Sequence, residues 1–124
     1  VPDAAMGRLE RACDRVTTNR TICERHGDDE SHHKAVPPDV VAYARSTDQV
    51  VAVVRICAEL GVPIIPFGTG TSLEGHIQAL RGGVCLDLSE MANIVEVNEA
   101  DMDCRVQAGV TRLALNGELR HTGL

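Results

Sequence analysis

With 124 residues and a formal net charge of −6, the chain is sized for one domain and badly equipped to grip nucleic acid. It has no basic excess, and its only aromatic side chains are Tyr43 and Phe67, so both phosphate neutralisation and base stacking lack their usual carriers. The core must be assembled from Val, Leu, Ile and Ala. No run of 18 or more apolar residues is present, which excludes a membrane-spanning helix within the chain. The five cysteines, at 13, 23, 57, 85 and 104, are odd in number and irregularly spaced. That pattern suits a reducing compartment better than a disulfide framework. The chain starts at Val1 and stops at His121-Thr122-Gly123-Leu124, and it reads as a fragment of a longer protein with any targeting segment upstream.

In chain order, Met6 to Val16 carries Leu9, Ala12, Cys13 and Val16 at helical spacing. Thr17 to Lys34 lacks periodicity and reads as a polar surface connection, ended by Pro37-Pro38. Val40 to Ala44 reads as a strand. Ser46-Thr47-Asp48-Gln49 fits a capping box, opening a helix with Val50, Val53, Val54, Cys57 and Leu60 on one side. Gly61 stops this helix, with Pro63 just beyond. Pro63 to Phe67 reads as a short buried strand, which completes a βαβ unit. Beyond a Gly-rich loop, strands are expected at Val84–Leu88, Asn93–Asn98 and Asp103–Ala108. Arg112 to Arg120 is expected to be a helix capped by Thr111.

The most informative stretch is Pro66-Phe67-Gly68-Thr69-Gly70-Thr71-Ser72-Leu73-Glu74-Gly75-His76. Glycines allow positive φ and close approach to the backbone, and Thr and Ser add hydroxyl donors. Several amides converging after a strand make a cradle for phosphate or pyrophosphate. The same pattern also fits a plain turn that uses glycine for geometry. Two familiar cradles are excluded. A Walker A loop ends in Gly-Lys-Ser/Thr, whereas Gly75 is followed by His76. A dinucleotide fingerprint needs a third glycine where this chain has Leu73.

This stretch resembles the pyrophosphate loop of FAD-binding domains of the vanillyl-alcohol-oxidase and p-cresol-methylhydroxylase type. Pro37-Pro38-Asp39-Val40-Val41, Ser46-Thr47-Asp48-Gln49-Val50, Arg81-Gly82-Gly83-Val84-Cys85-Leu86-Asp87-Leu88 and Val106-Gln107-Ala108-Gly109-Val110-Thr111 resemble its flanking strands and helices. Within that family the chain, including Arg25-His26-Gly27-Asp28-Asp29-Glu30-Ser31, is similar to the mitochondrial FAD-dependent D-lactate dehydrogenases and their glycolate-oxidase relatives. The resemblance runs from about Thr17 to Leu124. It implies an α+β fold: the first half of a two-subdomain FAD-binding domain, with a βαβ unit, a Gly-rich pyrophosphate loop and then mostly antiparallel strands. Residues 1–35 would be an N-terminal helix and polar lead-in, and residues 36–124 the FAD-binding domain.

By the same resemblance, Gly68, Thr69, Gly70, Thr71 and Ser72 would donate amides and hydroxyls to the FAD pyrophosphate. Pro66 would fix the strand exit, Gly75 would let the chain pass close to the cofactor, and His76 would be an extra contact. Relatives that attach FAD covalently use a loop His where this chain has Thr71, so non-covalent FAD is implied. The implied function is mitochondrial oxidation of D-lactate to pyruvate, with an electron acceptor reached through the full-length protein. The alternatives are a glycolate or D-2-hydroxyglutarate dehydrogenase or oxidase, or an inactive fragment. Catalytic residues, and a divalent metal site, would belong to a downstream domain, so none is assigned here. Replacing Gly70 by Val is expected to abolish FAD binding and leave the fold largely intact.

Other clusters have plainer readings. Cys23, His26, His32 and His33 fit no closed zinc site well and read as a solvated linker. Asp28-Asp29-Glu30 lacks the alternation of a calcium loop. Glu96, Glu99, Asp101 and Asp103 read as a polar turn. Cys85 lies between Val84 and Leu86 and reads as buried and inert. Arg112 sits against the helix dipole, with a partner that the sequence does not name.

Overall fold

The structure is a computed structural model describing all of residues 1–124. Its centre is a four-stranded sheet in the order β1-β2-β4-β3. The strands are β1 (Arg15–Thr17), β2 (Val40–Tyr43), β3 (Ile64–Phe67) and β4 (Val84–Asp87). β4 runs parallel to both β2 and β3, while β1 lies antiparallel along β2. β4 therefore enters between the two strands of the expected βαβ unit. Pro66 is tolerated within β3 because β3 is an edge strand and needs no ladder donor on its open side.

The pleat sends alternate residues to opposite faces. Val40, Ala42, Val84 and Leu86 face α1 (Asp3–Ala12) and α3 (Thr47–Leu60), forming the larger buried cluster with Ala5, Leu9, Val53, Ile56 and Cys57. Val41, Tyr43 and Cys85 face α2 (Arg20–His26) and bury against Cys23. A second sheet, β5 (Ile94–Asn98) with β6 (Asp103–Val106), is an antiparallel ribbon, and α4 (Arg112–Leu119) follows it. The fold is thus α+β, with strands and helices in the expected order from Val40 onward.

Helix α3 is delimited as its sequence demands. The Ser46 hydroxyl accepts from the Gln49 amide at 3.3 Å, and Gly61 closes the helix at φ 63°. The Gln49 side chain reaches one residue further back than a standard capping box, accepting from the Arg45 amide at 2.8 Å. The buried stripe is Val53, Ile56 and Cys57, and Val54 is turned outward. At about 100° per residue, Ile56, Val53 and Cys57 span an arc from about −60° to about 40° around Val53, and Val54, at about 100°, lies outside it.

The first 35 residues depart most from expectation. The N-terminal helix stops at Ala12, and Cys13 is already extended (φ −127°, ψ 142°). Arg15–Thr17 becomes an edge strand, which the β-branched pair Val16-Thr17 favours. The stretch taken for a polar connection contains α2. Asn19 caps that helix by accepting from the Ile22 amide at 3.2 Å, and Cys23 and His26 are buried. Only Ile22, Cys23 and His26 face inward, so a helix this short shows no sustained hydrophobic period.

Candidate functional site

The Gly-rich loop leaves β3 at the carboxyl end of the parallel strands, where ligands of open α/β sheets collect. No N–H group from Gly68 to Ser72 donates to another group of this chain. The Thr69 and Thr71 hydroxyls lie 3.0 Å apart. Gly70 sits between them at φ 68°, turning the chain so that both threonines face one way. Opposite the loop stands the start of α4, capped by Thr111, whose hydroxyl accepts from the Ala114 amide at 3.2 Å.

Between them is a cleft of about 450 Å³, lined by Gly68, Thr69 and Thr71 on one side and by Ala108, Thr111, Arg112 and Asn116 on the other. It contains one cation and no carboxylate, in a chain of net charge −6. A cation at a helix N-terminus is unfavourable unless an anion lies between. Arg112 thus gains a physical reason for its place. Gly68 matters differently from Gly70. Its φ lies outside the left-handed region, and a Cβ built on it would have as its nearest neighbour the Ala108 carbonyl oxygen, 3.9 Å away. Free amides, hydroxyls, a helix N-terminus and one guanidinium fit a pyrophosphate.

Of the residues picked out in sequence, the structure brings Gly68, Thr69 and Thr71 to this cleft, with Gly70 shaping the turn. Pro66 lies within β3 and Ser72 accepts from the Glu74 amide. Gly75 (φ 69°) packs instead against His33: a Cβ there would come 2.4 Å from the imidazole. His76 is exposed and does not line the cleft. Sequence reasoning did not assign Thr111, Arg112 or Asn116. Their signal is weak, because a Thr cap followed by a basic residue describes many helices.

Gly70 also bears on the fold. An added Cβ would meet the Phe67 ring at 2.9 Å, on a backbone that side chains rarely adopt. Gly70→Val is therefore expected to strain the fold, where sequence alone suggested a fold left largely intact. It is expected to lower stability by about 2–3 kcal/mol as well as remove flavin. A melting temperature equal to wild type would contradict this.

The clusters considered for metals and catalysis are dispersed. Cys23 and His26 turn into the core, whereas His32 and His33 are exposed, their rings 4.1 Å apart. No group of three or more His, Cys, Asp or Glu is placed to hold a metal ion. Glu96 pairs with Arg105 at 3.7 Å, and Asn98 donates to Asp103 across the β5–β6 turn. Burial pushes the Cys85 thiol up to about 12, which leaves it protonated and inert.

Comparison with known proteins agrees with this geometry. The profile of the FAD binding domain family matches residues 38–124. The probable mitochondrial D-lactate dehydrogenase of Danio rerio is 50% identical over 109 residues, covering 88% of this chain and 22% of that protein. The mitochondrial D-lactate dehydrogenase (cytochrome) of Arabidopsis thaliana is 42% identical over 127 residues, covering 100% of this chain and 22% of that protein. The chain thus spans about a fifth of the length of these relatives. The crystal structure of p-cresol methylhydroxylase superposes with a TM-score of 0.86 at 23% identity, over 98% of this chain and 25% of that one. A loop of free amides at the mouth of a parallel sheet, in a fold shared with p-cresol methylhydroxylase and with the family profile matched from residue 38 to 124, places this chain in the FAD binding domain family.

Proposed function

We propose that the cleft between the Gly-rich loop and α4 holds the pyrophosphate of non-covalently bound FAD. The parent protein would then be a flavin-dependent D-2-hydroxyacid dehydrogenase, with D-lactate as substrate and pyruvate as product. The carrying observation is that the amides at residues 68–72 are unbonded within the chain, and that Gly68, Thr69 and Thr71 share a cleft with one cation, Arg112. Gly68, Thr69, Gly70, Thr71 and Ser72 donate to the phosphates, and Arg112 balances their charge. Thr71 offers a hydroxyl, which forms no covalent flavin link. Pro66 fixes the strand exit. Gly75 and His76, outside the cleft, serve the return of the loop. Residues 1–35 act as a lead-in that sets α1 and α2 on opposite faces of the sheet and adds β1 to its edge, and residues 36–124 carry the cofactor portion.

When bound, FAD supplies the hydride acceptor for oxidation at the substrate α-carbon; this segment binds and orients it. The substrate assignment rests on the D-lactate dehydrogenase relatives, whose names also support a mitochondrial location. The test is anaerobic mixing of the purified full-length flavoprotein with D-lactate, L-lactate and glycolate in turn. Bleaching of the flavin band by D-lactate at the highest kcat/KM is expected. Preference for glycolate would move the substrate within the same chemistry, and a colourless protein that takes up no FAD would sink the reading.

A further inference from the structure

His26 is buried, and both of its ring nitrogens are occupied. Nδ1 lies 2.8 Å from the Ile22 carbonyl oxygen, which can only accept, so Nδ1 carries a proton. Nε2 lies 2.8 Å from Asp87 Oδ2. A carboxylate facing a bare nitrogen lone pair would be repulsive. The arrangement is satisfied when the ring holds both protons and Asp87 is ionised. Asp87 is itself anchored, its other oxygen accepting from the Ser89 amide at 2.8 Å.

The register of the sheet explains why this pair matters. Tyr43, Asp87 and Phe67 form one row across the last residues of β2, β4 and β3. The His26 ring lies over that row, 4.5 Å from the Phe67 centroid and edge-on to Tyr43 at 5.8 Å. Phe67 is the residue before the Gly-rich loop, and its ring lies directly beneath Gly70. A contiguous stack therefore runs from α2 through His26 and Phe67 to the turn that aims Thr69 and Thr71.

We propose that His26, held as an imidazolium between Ile22 and Asp87, is a positioning residue for the Gly-rich loop and sets flavin affinity through Phe67. The proposal rests on the assignment of that loop to FAD. Its electrostatics give a pH window. The hydrogen bond to Asp87, aided by the Ile22 carbonyl and the Asp87 charge, raises His26 above its ordinary value against the opposing effects of burial and of Arg15. Burial alone would raise Asp87, but hydrogen bonds from His26 and Ser89 outweigh it and hold Asp87 below its ordinary value. The other groups facing the pair are Tyr43, Cys23 and Cys85, whose ionisation burial pushes upward. A raised histidine stabilises fully below 6.5 and loses that contribution as pH rises through its folded-state value. A lowered carboxylate stabilises above 3.8 and loses its contribution as pH falls through its own. The clamp is therefore complete between these limits and is lost on the alkaline side as pH rises through the raised His26 value.

The test uses the full-length flavoprotein, with FAD affinity measured against pH for wild type, His26→Gln, Phe67→Leu, the double variant and Asp87→Asn. Wild-type affinity is expected to fall as pH passes 6.5 and climbs through the raised His26 value. His26→Gln and Phe67→Leu should each weaken FAD roughly tenfold, with the double variant little worse than either. Asp87→Asn keeps a hydrogen bond to a neutral ring and should lose the alkaline dependence. Unchanged FAD affinity in folded His26→Gln, with only its melting temperature lowered, would overturn the proposal. Fully additive losses in the double variant would also overturn it. A wild-type protein that binds no FAD would overturn both this proposal and the reading beneath it, whereas flavin bound equally by all variants would overturn only this one.

Discussion

Gly83→Ala is expected to leave little folded protein, with a loss of about 3–5 kcal/mol. Gly83 sits where the chain enters β4 between β2 and β3, at φ 103°. A Cβ there would fall 2.3 Å from the Pro63 carbonyl oxygen and 2.9 Å from the Pro63 carbonyl carbon. That carbonyl accepts from the Val84 amide at 2.9 Å, so it cannot swing away without breaking the first rung between β3 and β4. On its other side Gly83 donates to Asp39 at 2.7 Å, and its carbonyl accepts from the Asp39 amide at 2.9 Å. Both neighbours of β4 are thus tied to one residue without a side chain. Gly61→Ala is the matched control. It has a positive φ of 63° but nothing within 4 Å of the added carbon, so backbone strain alone remains, about 1 kcal/mol. Soluble yield and thermal melting of the two full-length variants measure the difference, and equal effects would refute the steric argument.

Gly68→Val carries the opposite expectation: a stable protein without its flavin. The backbone at Gly68 is open to any residue, and an added carbon finds only ordinary contact, 3.9 Å from the Ala108 carbonyl. The valine methyls would stand in the cleft between the free amides and Arg112. Two charge-assisted hydrogen bonds to phosphate would be lost, each worth about 1.5 kcal/mol or more, so FAD affinity should fall by about a hundredfold. Flavin content after gel filtration and the melting temperature of the apoprotein are the readouts. Wild-type flavin content in this variant would remove the cleft from consideration. A lowered apoprotein melting temperature would show that Gly68 serves the fold instead. This substitution separates binding from folding, which Gly70→Val cannot do.

These two glycines show why glycine count alone is a poor guide to a site. Gly70, Gly75 and Gly83 are all needed by packing, against Phe67, His33 and Pro63 respectively. Only Gly68 leaves open space where a ligand would lie.

What the sequence determined by itself is the segment from Val40 onward. Its elements are announced by local chemistry: Ser46 and Gln49 open α3, Gly61 closes it, Thr111 caps α4, and β-branched runs mark the strands. The loop at residues 68–72 was legible in part for the same reason: glycine and hydroxyl residues after a strand mark either a turn or an anion cradle, and only the resemblance of the flanking motifs favoured the cradle. Tertiary structure decided the rest. β1 is three residues long and exists only because β2 offers it an edge. Helix α2 has no hydrophobic stripe of its own, and its burial of Cys23 and His26 depends on the face that Val41, Tyr43 and Cys85 present. The pairing of His26 with Asp87 joins residues 61 apart in sequence. The cleft likewise brings Arg112 to the same space as Gly68, Thr69 and Thr71, which lie more than 40 residues earlier in the chain. Local propensities act over one or two turns of chain, and contacts of this range are set only when the sheet brings its strand ends into one row.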